Sequence, residues 1–301
     1  MMNNNSKFSL MVVIILMITG LLSSCFKEDL SDCPLPFQVT IKALDIDLND
    51  ITESGEVYNA ILFAFDENQN LVGAFELTAD QVKSRKPIDI ILDYPGFTAL
   101  TFIAWGNVDN NLDFSQISSV KKLVDLYVRL NVKDGYAQPS SDFFRGNLIV
   151  PVEYGGTGMG KSHVVEIKRM TSGVTITSIN LKEWNGSKEG NYTYVVRSSM
   201  NTYDPDGKLV GEPVNYSPRA AFQQNGYFSA PIFYTFPTEK FIVDIYYNGE
   251  LIYTCDEDAD GNPFVPQVGR TLNIIIIFSS ELNIIAEVTP WNVVYQYVEY
   301  K

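Results

Sequence analysis

Residues 154 to 163 read YGGTGMGKSH, and Gly155, followed after four residues by Gly160-Lys161-Ser162, satisfies the phosphate-binding loop pattern. In that chemistry the amides of a glycine-rich turn cradle phosphate oxygens, the lysine reaches the outer phosphates and the serine hydroxyl holds magnesium. A second stretch, DEDADGN, sets Asp256, Asp258 and Asp260 at alternate positions before Gly261, the first half of a calcium loop. Each pattern needs a particular setting. The phosphate loop must follow a buried strand and open a helix whose first amides point at the ligand. The calcium loop needs a bidentate Glu at its twelfth position, where this chain has Gln267.

The flanking residues supply neither setting. After Ser162 the chain runs HVVEIKRMTSGVTIT, in which Val165 and Ile167 alternate with charged residues and β-formers resume after Gly173. No helix fits there, so the glycine-rich stretch reads as a flexible link between two β-domains, with a boundary near residue 158, and no nucleotide is expected. DEDADGN reads as an acidic turn between LIYTC and FVPQVGRTLNIIIIF. The chain has one histidine, His163, and three cysteines, Cys25, Cys33 and Cys255, with no cluster among them, which leaves little for a zinc site or a Ser-His-Asp triad. No catalytic residue, metal ligand or cofactor is therefore expected, and at most one disulfide, Cys33 to Cys255, is available.

Nearly every ordered-looking segment has strand character. FQVTIKALDI, YNAILFAFD, NLVGAFEL, PIDIILDY, FTALTFIAW, FFRGNLIVPVEY, SGVTITSINL, NYTYVVRSS, EKFIVDIYYNGELIYTC, GRTLNIIIIF and VVYQYVEY are short, rich in β-branched and aromatic residues, and bounded by turn formers. Asn248-Gly249 predicts a tight hairpin, and Asp66 to Asn70 a longer one. NIIIIF, residues 273 to 278, is apolar on both faces and suits a central strand covered on both sides. Helices are predicted only over TADQVKSR, with Thr78 as N-cap, and over SSVKKLVDLYVRL, where Val120, Leu123, Val124 and Tyr127 share a face. This is an all-β chain without the strand-helix alternation of nucleotide-binding folds.

The amino terminus predicts an exported chain. Lys7 precedes the apolar run from Phe8 to Leu22, a pattern of secretory signal peptides, and the run is short for a membrane span. Leu22-Ser23-Ser24-Cys25 resembles the lipobox of bacterial lipoproteins, which assigns Cys25 as the lipid-bearing first residue after cleavage of residues 1–24. Phe26-Lys27-Glu28-Asp29 resembles the surface-export signal of Bacteroidetes lipoproteins. Lys7 is the single charged residue in the signal, so its removal takes the formal net charge from −14 to −15. A surface that acidic repels nucleic acid.

Taken in order, Cys25 with FKEDLSDCP behind it, FQVTIKAL, ILFAFDENQNLVG, FIAWGN, DFFRG, EIKRMTSGVTITSI and the late GRTLNIIIIF followed by VTPW resemble the FimB-type fimbrial anchor and accessory lipoproteins of Bacteroidetes, components of type V pili. The resemblance implies a lipidated linker over 25–36 and two tandem β-sandwich domains of transthyretin-like topology, over 37–158 and 159–301. It also implies a non-enzymatic lipoprotein, palmitoylated at Cys25, on the outer membrane surface. Such a protein anchors or caps a fimbrium and joins pilin subunits by β-strand complementation, in which a donated strand completes a neighbour's sheet and fimbrial length or attachment is regulated. The tail WNVVYQYVEYK, residues 291–301, is a candidate donor strand or the last strand of the second sandwich. A surface glycan-binding or adhesin lipoprotein is the alternative. A secreted hydrolase finds no carboxylate pair or nucleophile that stands out.

Overall fold

The computed structural model describes residues 30–295 apart from 94, 156, 157 and 281. The export segment, Cys25 and the last six residues lie outside that range. The β-forming runs become β1 (Phe37–Leu44), β2 (Asn59–Phe65), β3 (Leu71–Thr78), β4 (Ile88–Ile90) and β5 (Ala99–Gly106), followed by the short β6 (Leu112–Phe114), β7 (Val128–Leu130), β8 (Val132–Lys133) and β9 (Tyr136–Ala137). Next come β10 (Phe144–Pro151), β11 (His163–Arg169), β12 (Ser172–Ile179), β13 (Tyr192–Tyr203) and β14 (Leu209–Tyr216). The chain closes with β15 (Ala221–Phe222), β16 (Phe228–Thr235), β17 (Ile242–Tyr247), β18 (Glu250–Cys255), β19 (Arg270–Ile277) and β20 (Asn283–Pro290). The fold is all-β.

Local chemistry explains the turns and the scarce helices. Asn248 and Gly249 take φ of 49° and 85°, the left-handed pair that the β17–β18 hairpin requires. Asp66 closes the β2–β3 turn by accepting the amides of Asn68 and Asn70. The one-turn helix α1 (Ala79–Lys83) starts in a capping box, with the Thr78 hydroxyl accepting from Gln81 and the Gln81 side chain from the Thr78 amide. The helix expected from Ser118 does not form. In its place are two single 3-10 turns, Ile117–Ser119 and Leu123–Asp125, followed by β7. The Asp125 carboxylate takes the amides of Lys121 and Lys122, and the Lys121 carbonyl takes the Leu71 amide, so partners a helix would need internally are used elsewhere.

Seven strands form one curled sheet in the order β3-β2-β5-β10-β11-β1-β4, parallel only between β1 and β11. Its concave face closes on itself. Phe37 of β1 meets Phe102 of β5 edge-on at 6.1 Å although β10 and β11 lie between them in the sheet, and Val39, Ile41, Leu62, Leu100 and Ile167 fill the space around them. The boundary expected near residue 158 falls inside this sheet. β10 before it and β11 after it are hydrogen-bonded neighbours, and the chain crosses to the second core between Arg169 and Ser172.

That second core lies between a five-stranded sheet, β15-β16-β12-β19-β20, and a larger one, β18-β17-β13-β14-β9-β8, to which β7 and β6 add beside β13. Tyr194 shows how the layers are pinned. Its buried hydroxyl donates to the Phe228 carbonyl and meets the Ser178 hydroxyl at 2.8 Å, joining β13 to β12 and β16. Strands β6 to β9 come from residues 112–137, so the first half of the chain builds part of the second sandwich. The two bodies also share a wall, since Ile61, Phe63, Ile103 and Trp105 on the convex face of β2 and β5 belong to the second core.

Gly146 in β10 sits where β11 crosses closest. A Cβ there would overlap the carbonyl of Glu166, a backbone group that cannot swing aside. Gly146→Ala is expected to lower unfolding free energy by about 1–3 kcal/mol, as overpacking does, while Asn147→Ala on the exposed side stays within about 0.5 kcal/mol. Urea denaturation of both variants checks this.

Candidate functional site

The two motifs with apparent chemistry resolve into structural turns. The phosphate-loop residues connect β10 to β11: the Gly160 amide donates to the Pro36 carbonyl at 2.8 Å, and Lys161 pairs with Glu153 at 3.3 Å. The residue after Ser162 is already strand, so the Lys-Ser pair opens β11 and not a helix. His163 packs edge-on against Phe37, ring centroids 5.5 Å apart. In the acidic turn, Asp258 accepts the amides of Asp260 and Asn262, and its bonds to Asn262 hold its carboxyl below the usual range. Asp256 turns away to pair with Lys240. Among the described residues no group of His, Cys, Asp or Glu is arranged to hold a metal.

The cysteines stay apart. Cys33 is exposed and its carbonyl accepts the Gly155 amide at the end of the first sheet, whereas Cys255 is buried at the end of β18; both are free thiols. Burial, then the charges of Asp256 and Asp244, push the Cys255 thiol up to about 12. The linker is pinned as well, since the Leu35 amide donates to the Glu153 carbonyl at 2.8 Å.

The candidate site that remains is the open side of the five-stranded sheet. β20 pairs with β19 along one edge only. The Ile284 carbonyl accepts the Ala259 amide of the acidic turn from the other edge, and the two-residue period of a strand points the N–H and C=O of Ala286 and Val288 the same way. Val288 is exposed. Among the described residues nothing else pairs along that edge, which makes the extended β20 a template for an added strand.

After β20 the chain reverses at Trp291-Asn292, with Asn292 at φ 58°, and residues 292–295 run back over the outer face of β19. The tail is therefore neither a paired strand nor a free arm in its described part. The Asn292 amide donates to the Thr271 hydroxyl and the Tyr295 amide to the Asn273 side-chain Oδ1, both at 3.0 Å. Asn273, 1% exposed, also accepts from Thr175 and donates to Thr289 and to the Val293 carbonyl. The strand read as covered on both faces is so covered, on its outer side by this tail.

Arg169 holds the turn from below. The Trp291 ring stacks on Tyr234 at 5.0 Å, and the Arg169 guanidinium lies 4.6 Å from its centre and 4.9 Å from that of Phe144. The same guanidinium donates to Asp142 at 2.9 Å and to Glu56. Burial pushes the Asp142 carboxyl up to about 6 against the pull of Arg169, and the Glu56 charge adds to the rise. Sequence reasoning passed over Arg169, Asp142 and Asn273. The one local signal was a polar Asn273 opening an otherwise apolar run.

Comparison with known proteins agrees with this architecture. A family model described as "Mfa2: Fimbrillin-A associated anchor proteins Mfa1 and Mfa2" matches residues 30–297. Proteins named "Major fimbrium anchoring subunit FimB" from two strains of Porphyromonas gingivalis are 38% and 37% identical, each match covering 99% of this chain and 100% of the relative. Among solved structures, the fimbrial anchor protein Mfa2 from Porphyromonas gingivalis superposes with a TM-score of 0.62 at 18% identity, over 86% of this chain and 98% of that one.

The Asp142 shift makes a test. A carboxyl whose folded pKa is raised binds its proton more tightly in the folded state, so its contribution to stability is lost as pH rises from about 4 through 6. Wild type is expected to lose up to about 1.4 kcal/mol per pH unit across that window relative to Asp142→Asn. Denaturation curves of both proteins from pH 4 to 7 check it.

Proposed function

The chain belongs to the family of fimbrillin-A associated anchor proteins Mfa1 and Mfa2, and on that premise we propose that it is a non-enzymatic lipoprotein that fixes a fimbrium to the outer membrane. Cys25 carries the lipid, the chain faces outward, and the partner is a fimbrial pilin subunit. The observation that carries this reading is the full-length likeness, at 38% identity, to a protein named for anchoring the major fimbrium. The stapling of Leu35 and Pro36 to residues 153 and 160 supports it, because a pull on the fimbrium reaches the lipid through a folded sheet.

The joint itself is strand complementation. An incoming pilin strand pairs with the free edge of β20, where the outward N–H and C=O of Ala286 and Val288 supply the first bonds and the alternating side chains supply register. The acidic turn caps the edge at Ile284 and so limits where a donated strand can start. Through that joint the anchor sets where the fimbrium ends, and so regulates fimbrial length and attachment.

Two experiments test this. Cys25→Ala in the native cell is expected to release the protein from the outer membrane together with shed or abnormally long fimbriae, scored by fractionation and electron microscopy; normal attached fimbriae beside a mislocalised protein defeat the anchor reading. Val288→Pro removes an outward N–H that the β19 ladder does not use. It is expected to leave thermal stability within about 1 kcal/mol of wild type and to abolish co-purification with pilin. Undiminished co-purification sinks the β20 joint while leaving the anchor role intact.

A further inference from the structure

Resting on the β20 joint proposed above, we infer that the strand this edge accepts carries a lysine or arginine opposite Glu287, flanked by apolar residues that face Ala286 and Val288. Directly opposed residues of a ladder stand on one face, their Cβ atoms about 5 Å apart. Glu287 is paired with Asn273, whose side chain meets the returning chain on the outer face, so Glu287 projects from that face, and it is exposed. Ala286 packs against the second core, and Val288 shares its face. A strand added beside β20 therefore meets apolar, acidic and apolar positions in succession. That pattern reads the same in either chain direction.

The acidic charge along this edge has no internal answer. Glu257 and Asp260 flank Ala259, whose amide bonds the Ile284 carbonyl, so they stand where the free part of the edge begins. Among the described residues Glu257, Asp260 and Glu287 form no ion pair. Lys240 is taken by Asp256, and Arg270, opposite Pro290 in the ladder, is taken by Asp47 at 2.7 Å. Backbone bonding alone accepts any extended segment, whereas an acid directly opposite Glu287 is repelled and a cation there is held. The same pair sets register, since a slip of one residue would turn the cation toward the core face.

The test uses the full-length chain in detergent and two fluorescein-labelled nine-residue peptides that alternate threonine and valine, one with lysine and one with glutamate in place of the central threonine. The lysine peptide is expected to bind about tenfold more tightly by anisotropy, with the gap narrowing in 0.5 M salt. Glu287→Lys, at an exposed position, is expected to keep thermal stability and to invert the order, while Val288→Pro weakens both peptides. Equal affinities, or an order unchanged in Glu287→Lys, overturn the charge rule; with Val288→Pro still weakening both peptides, the β20 joint survives that result. Binding of neither peptide overturns the inference together with the β20 joint, and leaves the anchor role to the Cys25→Ala experiment.

Discussion

A buried guanidinium keeps its proton and must be answered on its donors and its faces, and Arg169, 4% exposed, is answered from four separate parts of the chain. Asp142 comes from the run into β10, Glu56 from the β1–β2 connection, Phe144 from β10 itself and Trp291 from the turn after β20. Arg169 is the last residue of β11, and three residues later the chain begins β12 in the second core. The crossing is therefore fixed by a charge that cannot be left alone. Thr171, between them, bonds Asp142 with its hydroxyl and takes the Gly269 amide on its carbonyl, which brings the start of β19 into the same constraint.

With the crossing fixed, the rest of the architecture follows from β2 and β5 being apolar on both faces. Leu62, Ala64, Phe102 and Ala104 close the curled sheet, and Ile61, Phe63, Ile103 and Trp105 close the second core. Trp105 lies against Phe63 at 5.2 Å and Phe143 at 6.5 Å, and Phe143 reaches Tyr203 of β13 at 6.0 Å. This aromatic chain runs from one body into the other without meeting water. Strands β6 to β9, although early in sequence, follow it across and finish the larger sheet.

Much of this was legible and the rest was hidden for physical reasons. Strand character, the Asn248-Gly249 hairpin and the Thr78 cap are local properties, and they emerged as read. β14, β16 and β20 passed unread: LVGEPVNY, FSAPIFYT and NIIAEVTP carry Gly, Pro or an irregular alternation that weakens the two-residue pattern. The helix from Ser118 was a true periodicity overridden by Asp125 and by pairing with Leu71. Boundary position failed because Gly-rich composition marks a turn without saying whether the strands on either side belong to one sheet. The hub around Arg169 joins residues 27 and 113 positions away in sequence, a relation that spacing does not encode. Membership of the anchor family was legible because it rests on the order of many weak features along the chain.

An assembly built by adding strands needs subunits whose edges and faces are unequal, since a subunit open everywhere would branch or aggregate. The five-stranded sheet has that inequality. Its outer face presents Thr271, Asn273 and Thr175, a buried polar row whose desolvation is tolerable only with partners in place, and the returning tail provides them. Along its β20 edge the acidic turn takes Ile284, and among the described residues Ala286 and Val288 have no partner on that side. Asp258, bonded within its own turn, holds the loop that meets this edge. The acidic stretch and the described part of the tail thus both serve the five-stranded sheet, the one meeting its β20 edge and the other covering its outer face.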